Sequence, residues 1–180
     1  EKQCLTRHPV RKNMGVSMSE IETALGYIPG SLGRIAELHG DYYHRHWGFG
    51  LFFEAKVATG LAEFVGRYDR SRDGLWTALL NGRVEGSIAI DGINARSRGA
   101  HLGWFIVSDV LRGKGVGGRL LSTAVDFCRS RGYARIHLWT FEGLDAARHL
   151  YEKAGFRLVE ERIGARWGTE VNEQRFECSL

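Results

Sequence analysis

Apolar side chains recur with a helical period in the first half of the chain. Within residues 39–67 they are spaced mostly by three and four positions, which predicts helical structure with one buried face. The residues on that face are Phe49, Phe52, Phe53, Val57, Leu61 and Phe64. A short strand over residues 32–38 is predicted directly after Pro29 and Gly30, because this dipeptide marks a turn.

The middle of the chain has the pattern of β-strands. Two apolar runs, residues 75–80 and 84–90, flank Asn81-Gly82. This dipeptide favours a type I′ turn because both central residues of that turn take positive φ. We therefore predict a β-hairpin, which a strand over residues 101–107 extends into an antiparallel meander.

Glycines separate the predicted elements of the second half. A helix over residues 115–131 ends at Gly132, and a strand follows over residues 135–141. A helix over residues 144–154 ends at Gly155, and two further strands complete the chain. The last strand alternates, with apolar side chains at Phe176, Cys178 and Leu180.

A single globular domain is predicted for residues 31–180. The chain has 180 residues, of which 43% are hydrophobic, and this is enough to bury one sizeable core. Residues 1–30 are predicted to be an N-terminal extension or linker. Within them, Ser19 and Glu22 have the spacing of a capping box, which predicts a short helix to Leu25.

The most informative segment is a glycine-rich loop between the strand over residues 101–107 and the following helix. It reads Arg112-Gly113-Lys114-Gly115-Val116-Gly117-Gly118. Glycines allow the backbone to approach a ligand closely, and the start of a helix directs amide N–H groups at an anion. Arg112, Lys114 and Arg119 would balance the charge of a diphosphate. The loop therefore predicts a pyrophosphate-binding site.

Two well-known phosphate loops can be compared with these letters. A P-loop is excluded, because Gly118 is followed by Arg119 and not by Lys and then Ser or Thr. The dinucleotide fingerprint Gly-x-Gly-x-x-Gly is matched by Gly113, Gly115 and Gly118, with Glu142 in the place of a ribose-binding acid. Taken alone, the loop leaves an NAD(P)-binding oxidoreductase of the Rossmann type open as one alternative.

Two motifs together resemble the GCN5-related N-acetyltransferase (GNAT) superfamily. Arg112, Gly115 and Gly117 match its Arg/Gln-x-x-Gly-x-Gly/Ala loop, and residues 151–156, Tyr-Glu-Lys-Ala-Gly-Phe, match its later Tyr-x-x-x-Gly-Phe signature. The resemblance covers roughly residues 30–180. Within the superfamily the chain looks most like the acetyltransferase domain fused behind MarR-type regulators.

The resemblance implies an α/β (α+β) fold of the acyl-CoA N-acyltransferase type. Its central sheet would be mixed and mostly antiparallel, with about seven strands and four main helices, in agreement with the predicted order of elements. That order argues against a Rossmann domain, because an antiparallel meander precedes the glycine loop and only about two βα units follow it.

The resemblance also implies an enzyme that transfers an acetyl group from acetyl-CoA to a primary amine. The strand before the loop would splay from its neighbour and hold the pantetheine arm and the thioester. The implied residues for acetyl-CoA are Phe105, Ile106, Val107, Arg112, Gly113, Lys114, Gly115, Val116, Gly117, Gly118, Ala147 and Tyr151. Leu144 stands where many members have Asn, which removes one side-chain contact to the pantetheine arm.

Tyr151 carries over from the family as the general acid, because a phenol stays protonated at neutral pH and can donate to a departing thiolate. The alternative is a tyrosine packed in the buried stripe of its helix. His101 is the predicted catalytic base, with Glu54 or Glu63 as alternatives. The aromatic segment 39–47 either lines the acceptor pocket or packs as an ordinary helix.

Composition and charge exclude several function classes. The net charge of +4 arises from 25 basic and 21 acidic residues, a mixed surface that suits an anionic ligand and does not predict nucleic-acid binding. No metal is expected, because the three cysteines have no metal-binding spacing and His44 and His46 would point about 200° apart on a helix. The cysteines also imply no disulfide framework, which predicts a cytoplasmic protein, and the absence of a long apolar run predicts no membrane partner.

The expected partners are a small-molecule or peptide amine as acceptor and, as a further possibility, a second copy of the chain in a homodimer. A second class of function stays open beside the enzyme. This is a module that binds or senses acetyl-CoA with little turnover, for which the weakly determined base and the missing Asn are the only support.

Overall fold

The computed structural model describes residues 21–180, which form one seven-stranded sheet with helices on both faces. The strands are β1 (Ile21–Leu25), β2 (Gly74–Leu80), β3 (Arg83–Asp91), β4 (Ala100–Val107), β5 (Arg135–Phe141), β6 (Arg157–Gly164) and β7 (Val171–Ser179). The helices are α1 (Ser31–Trp47), α2 (Leu51–Gly66), α3 (Ala95–Arg98), α4 (Val116–Ser130) and α5 (Asp145–Lys153). Four are long, and α3 is a single turn.

The strand order is β1-β2-β3-β4-β5-β7-β6, and β4 and β5 are the parallel pair in an otherwise antiparallel sheet. This confirms the mixed, mostly antiparallel sheet predicted from the sequence. The predicted hairpin is β2–β3, and its turn has φ of 52° at Asn81 and 74° at Gly82. The predictions for β4, α4, β5 and α5 are confirmed to within about two residues at each end, which is the ordinary uncertainty of helix and strand boundaries.

The first elements differ from the prediction. The strand predicted over residues 32–38 is wrong, because these residues form the start of α1. Their buried side chains, Ile35, Leu38 and His39, follow the helical spacing of three and four rather than the alternation of a strand. The helical stretch predicted over residues 39–67 is confirmed as helical but is interrupted at Gly48, whose φ is 67°.

The short helix predicted to end at Leu25 is also wrong, since residues 22–25 lie in β1; Ser19 itself lies outside the described residues. β1 pairs with β2 from Ile21↔Leu80 to Leu25↔Trp76. The conformation of this segment is therefore determined by hydrogen bonding to β2 at the edge of the sheet, and not by the local capping pattern.

The two faces of the sheet carry different cores. On one face α4 and α5 pack with Leu120, Ala124 and Tyr151 against Ile88 and Phe176 of the strands. The other face is covered by α1 and α2. There the buried residues Ile35, Leu61 and Phe64 contact Leu75, Val84 and Ala89. A third, smaller cluster joins Phe49 and Phe53 to Phe141 at the end of β5. Among the described residues no helix is both long and apolar enough to cross a membrane.

A gap opens between β4 and β5. The two parallel strands pair at Ala100↔Ile136 and His101↔His137, and no further pairs follow along the described strands. Beyond these two positions, therefore, the edge of β4 that faces β5 has no strand partner for its backbone groups. The splayed strand that the resemblance implied is confirmed.

Candidate active site

A β-bulge distorts β4 where it runs along the gap. Ser87 pairs with Ile106 and Ala89 pairs with Gly103, so β4 has one residue more than β3 between these pairs. Within the bulge, Trp104 has φ of 46°, a left-handed conformation that is uncommon for a large side chain. Ser87 Oγ donates a hydrogen bond of 2.6 Å to the Trp104 carbonyl oxygen and so supports the distorted backbone. Bulges of this kind redirect a strand and are frequent beside active sites.

A groove of about 610 Å³ begins at the bulge and runs to the glycine loop. β4 contributes one wall, and the start of α5 contributes the opposite wall. Of the residues predicted for acetyl-CoA, it is lined by Phe105, Ile106, Val107, Arg112, Gly113, Gly115, Val116, Gly117, Gly118 and Ala147. Lys114 is not among the lining residues, and Tyr151 lines a neighbouring cavity.

The glycine loop forms one end of this groove. Gly113 and Gly115 have φ of 73° and 71°, which only glycine adopts without strain, and Gly115 is the residue that precedes α4. No side chain caps this helix end, so the first amide N–H groups of α4 are available to a ligand. A Cβ built on Gly118 meets no protein atom within 4 Å, whereas one on Gly117 would lie 3.0 Å from Leu150 Cδ1. The loop thus offers a positive helix end beside open space.

Arg112 is held over the groove by α1. Its guanidinium forms an ion pair of 2.7 Å with Asp109 and lies 4.6 Å from the ring centroid of Tyr42. Asp109 is also 3.4 Å from Arg45, which in turn pairs with Asp41. The C-terminal half of α1 is therefore tied to the glycine loop across one side of the groove.

A second cavity of about 680 Å³ lies on the α2 side of the gap. Aromatic side chains dominate its wall, with contributions from α1, α2, both splayed strands and the β6–β7 turn; they include Tyr43, Phe52, Phe53, Trp104, Phe105, Trp139, Phe141, Tyr151 and Trp167. Four residues, Tyr43, Phe105, Leu144 and Ala147, line both this cavity and the groove. The two spaces therefore meet in the gap between β4 and β5.

Tyr151 lies at this junction on α5. Its side chain is buried, with 6% of its surface exposed, and its ring lies 6.0 Å from that of Phe105. Burial, and to a lesser degree the neighbouring Tyr43, raises the pKa of the phenol well above its usual value. Tyr151 is therefore neutral at physiological pH and can act as a hydrogen-bond donor at this junction.

Comparison with known proteins agrees with this geometry. The family model described as the acetyltransferase (GNAT) family matches residues 33–156. The chain belongs to this family. An uncharacterised N-acetyltransferase of Methanocaldococcus jannaschii is 26% identical over 124 residues, and the match covers 66% of this chain and 54% of that protein. The GNAT chain thus spans about half the length of this curated relative.

Solved structures described as acetyltransferases share the fold. A Staphylococcus aureus acetyltransferase is 17% identical with a TM-score of 0.71, covering 89% of this chain and 99% of its own. A Streptococcus agalactiae acetyltransferase is 22% identical with a TM-score of 0.70, covering 91% and 100%. A putative acetyltransferase from Salmonella typhimurium, solved with its cofactor acetyl-CoA, is 17% identical with a TM-score of 0.69, covering 89% and 94%.

The dinucleotide-binding alternative is excluded by the topology of this GNAT fold. The sheet has one parallel strand pair, β4–β5, whereas a Rossmann domain is built from repeated parallel βαβ units. Glu142, the proposed ribose-binding acid, lies exposed after β5, and its carboxylate accepts a hydrogen bond of 3.4 Å from the Asn172 side chain.

His101, the predicted base, lines the second cavity. Burial, followed by the charge of the neighbouring His137, lowers its pKa from 6.5 to about 4. Its ring lies 5.3 Å from that of His137. A neutral imidazole with this pKa accepts a proton poorly at neutral pH. Of the two alternatives, Glu63 lines the same cavity and Glu54 does not.

Leu144, which the resemblance set in the place of an Asn, lines both spaces as an apolar wall just before α5. The aromatic segment 39–47 contributes Tyr42 and Tyr43 to the groove, and His39 and Tyr43 to the cavity. His44 Nδ1 instead donates a hydrogen bond of 2.9 Å to the Phe49 carbonyl oxygen. Within residues 21–180 no group of three or more His, Cys, Asp and Glu side chains is placed to hold a metal ion.

Trp139, Arg166 and Trp167 also line the cavity, and no motif in the sequence pointed to them. Arg166 and Trp167 lie in the turn between β6 and β7, and this turn lies near the end of β5 because β7 pairs directly with β5. No local pattern in the sequence reports this non-sequential order of strands.

Proposed function

We propose that this GNAT chain transfers the acetyl group of acetyl-CoA to a primary amine, with Tyr151 as the general acid. The observation that carries the proposal is the junction of two cavities in the gap between β4 and β5, where Tyr151 lies beside the walls of both. A donor in one cavity and an acceptor in the other would meet at this point, as a direct transfer between two bound molecules requires.

The groove has the properties that acetyl-CoA needs. The uncapped start of α4 and the guanidinium of Arg112 would hold the diphosphate. The apolar side chains of Val107, Leu144 and Ala147 suit a pantetheine arm, and the unpaired edge of β4 supplies backbone groups to orient it. Acetyl-CoA would supply the activated acetyl group as a thioester.

Tyr151 then has a defined role in the proposal. Its neutral phenol holds a proton at Oη and can donate it, or a strong hydrogen bond, to the sulfur that leaves the thioester. The aromatic wall around the phenol excludes water from this point. An amine that enters the same apolar surroundings is shifted toward its uncharged, nucleophilic form, because burial disfavours an ammonium ion.

Cofactor binding can be tested by thermal unfolding of the protein with acetyl-CoA, CoA, NAD and NADP at equal concentration. Acetyl-CoA at 100 times its dissociation constant should stabilise the fold by about 2.7 kcal/mol, and NAD should not. Stabilisation by NAD alone would refute the assignment of the groove.

Catalysis is tested by Tyr151→Phe, assayed with a panel of primary amines. We expect kcat to fall by about 10²- to 10⁴-fold, with the acetyl-CoA thermal shift retained. Tyr27→Phe is the matched control, because Tyr27 is 59% exposed and lines neither cavity. Tight acetyl-CoA binding without acetylation of any amine by the wild type would favour the alternative of an acetyl-CoA-binding or sensing module.

A further inference from the structure

The second cavity, which the proposed function assigns to the acceptor, is lined by one guanidinium that is fixed in place before any ligand binds. Arg166 lies in the turn between β6 and β7 and lines the cavity. Its backbone N–H donates to Glu173 Oε1 at 2.8 Å, and its Nε lies 3.5 Å from Glu173 Oε2. The guanidinium stacks on Trp139, with 4.0 Å between its carbon and the ring centroid. These contacts fix the guanidinium plane against the cavity wall.

The terminal nitrogens of Arg166 are the available part of this group. Within residues 21–180, the ion pair of its side chain with Glu173 is closest at Nε, and the structure shows no hydrogen bond at a terminal nitrogen. Arginine presents its terminal N–H groups as a planar fork that matches a carboxylate. A guanidinium fixed on the wall of a cavity is a typical recognition element for an anionic group.

The charge of Arg166 is only partly balanced by its neighbours. Glu173, which is 2% exposed, is shared between Arg166 and Arg162, whose Nε lies 3.1 Å from Oε2, and Arg162 also lies 3.5 Å from Glu160. The other formal charges on the lining, Lys56 and Glu63, are of opposite sign. An acceptor with an anionic group therefore suits the cavity better than a polycationic amine.

The remaining wall defines the rest of the acceptor. Phe53, Trp104, Phe141 and Trp167 surround the space between Arg166 and the junction with the groove. Such a wall binds an apolar side chain by burying its surface and gives few hydrogen bonds to a hydroxylated molecule.

The position of Arg166 along the sheet limits the distance between the anion and the amine. Arg166 stacks over Trp139, two residues before Phe141 in β5, and Phe141 lies near the junction with the groove. Two strand residues span about 7 Å. The amine and the carboxylate of an α-amino acid are about 3 Å apart, and a hydrogen bond to the guanidinium adds about 3 Å, so together they fit this span with the amine toward Tyr151.

We propose that the acceptor is a free amino acid with a bulky apolar side chain, and that Arg166 binds its α-carboxylate. This inference rests on the proposed acetyltransferase function and makes the substrate class specific. It distinguishes a free amino acid from a simple amine and from the N-terminus of a peptide, both of which lack a carboxylate at this distance.

The test uses three matched ligands on each of the phenylalanine, tryptophan and leucine skeletons: the amino acid, its amide and the decarboxylated amine. Rates with saturating acetyl-CoA are expressed per free base, so that differences between amine pKa values do not enter. For at least one skeleton, the wild type should prefer the acid by about 10- to 100-fold in kcat/KM. Arg166→Gln should reduce that preference to within about threefold, by lowering kcat/KM for the acid alone.

Arg162→Gln is the matched control, because Arg162 also contacts Trp139 and Glu173 but is not on the cavity lining. It should keep the preference for the acid. Arg166→Gln leaves Glu173 paired with Arg162, so the fold should be retained, and the thermal midpoint of each variant verifies this. Lys56→Gln tests the other cation of the cavity and should also keep the preference.

Equal rates for acid, amide and amine, or a preference that survives Arg166→Gln or is lost in Lys56→Gln, would overturn the inference while leaving the acetyltransferase function intact. A protein that binds acetyl-CoA but acetylates nothing would instead contradict the proposed function. In that case the thermal shift of the CoA-loaded protein with each ligand still decides about Arg166. A shift with the amino acid that Arg166→Gln removes supports the inference, and no shift or equal shifts with acid, amide and amine refute it.

Discussion

At the scale of single residues, burial shifts the pKa values of two side chains of the candidate site. It keeps the Tyr151 phenol, which is already neutral at pH 7, protonated to higher pH, and it keeps His101 neutral although the ordinary pKa of histidine is near neutrality. The sequence identified both residues, but their burial, with the smaller effects of Tyr43 and His137, comes from packing against other elements.

The pH dependence of the reaction follows from these values. With a pKa of about 4, His101 is already deprotonated across the range from pH 6 to 9, so its titration should not shape the rate there. We expect kcat/KM to rise with pH according to the pKa of the acceptor amine, with the same profile in His101→Asn. Profiles for two amines of different pKa check this. A titration of kcat/KM near pH 6.5 that disappears in His101→Asn would instead identify His101 as the base.

At the scale of elements, the sequence predicted well where glycine defines a boundary. Asn81-Gly82 marks the β2–β3 turn, and Gly132 and Gly155 follow α4 and α5. It failed at β1 and the start of α1, because edge pairing with β2 and packing of Ile35 decide those segments and neither is local. The residues of the groove could be predicted, since they lie within two contiguous motifs. Trp139 and Arg166 could not, since they meet only through the order of the strands.

The first turn of α4 allows a matched pair of substitutions. Gly117→Ala places a Cβ 3.0 Å from Leu150 Cδ1, whereas Gly118→Ala meets no protein atom within 4 Å. Both changes add helix propensity of about 0.5 to 1 kcal/mol, so the steric difference remains visible. In urea unfolding, Gly118→Ala should be at least as stable as the wild type, and Gly117→Ala should be less stable than Gly118→Ala by about 1 kcal/mol or more. Equal stability of the two variants would contradict the tight packing of α4 on α5.

At the scale of the whole molecule, buried histidines link stability to pH. Burial lowers the pKa of His39, and that of His101, from 6.5 to about 4 in the folded protein. Between pH 6.5 and about pH 4, the unfolded chain binds protons at these two histidines that the folded chain does not bind. The contribution of the two neutral histidines to the free energy of unfolding is therefore complete above pH 6.5 and is lost as pH falls toward 4.

The measurement is the free energy of unfolding in urea from pH 7.5 to 4.5. Each buried histidine should contribute a slope of up to about 1.4 kcal/mol per pH unit. His39→Gln removes one of the two groups and should make the decline shallower, although it weakens the hydrogen bond of Nδ1 to the Ile35 carbonyl. His46→Gln, at an exposed position of the same helix, should leave the slope unchanged. An unchanged slope in His39→Gln would show that His39 titrates normally.

The homodimer, the cytoplasmic location and the fusion to a MarR-type regulator stay predictions of the sequence.

The gap between β4 and β5 divides the sheet into two half-sheets, β1–β4 and β5-β7-β6, joined edge to edge by two residue pairs. A molecule that lies in this gap takes the place of a missing neighbouring strand. The bound molecule would then bridge the two half-sheets, so that the sheet is continuous only while the gap is occupied. Without a bound molecule, the pairs Ala100↔Ile136 and His101↔His137 are the strand contacts that join β4 to β5 in the described sheet.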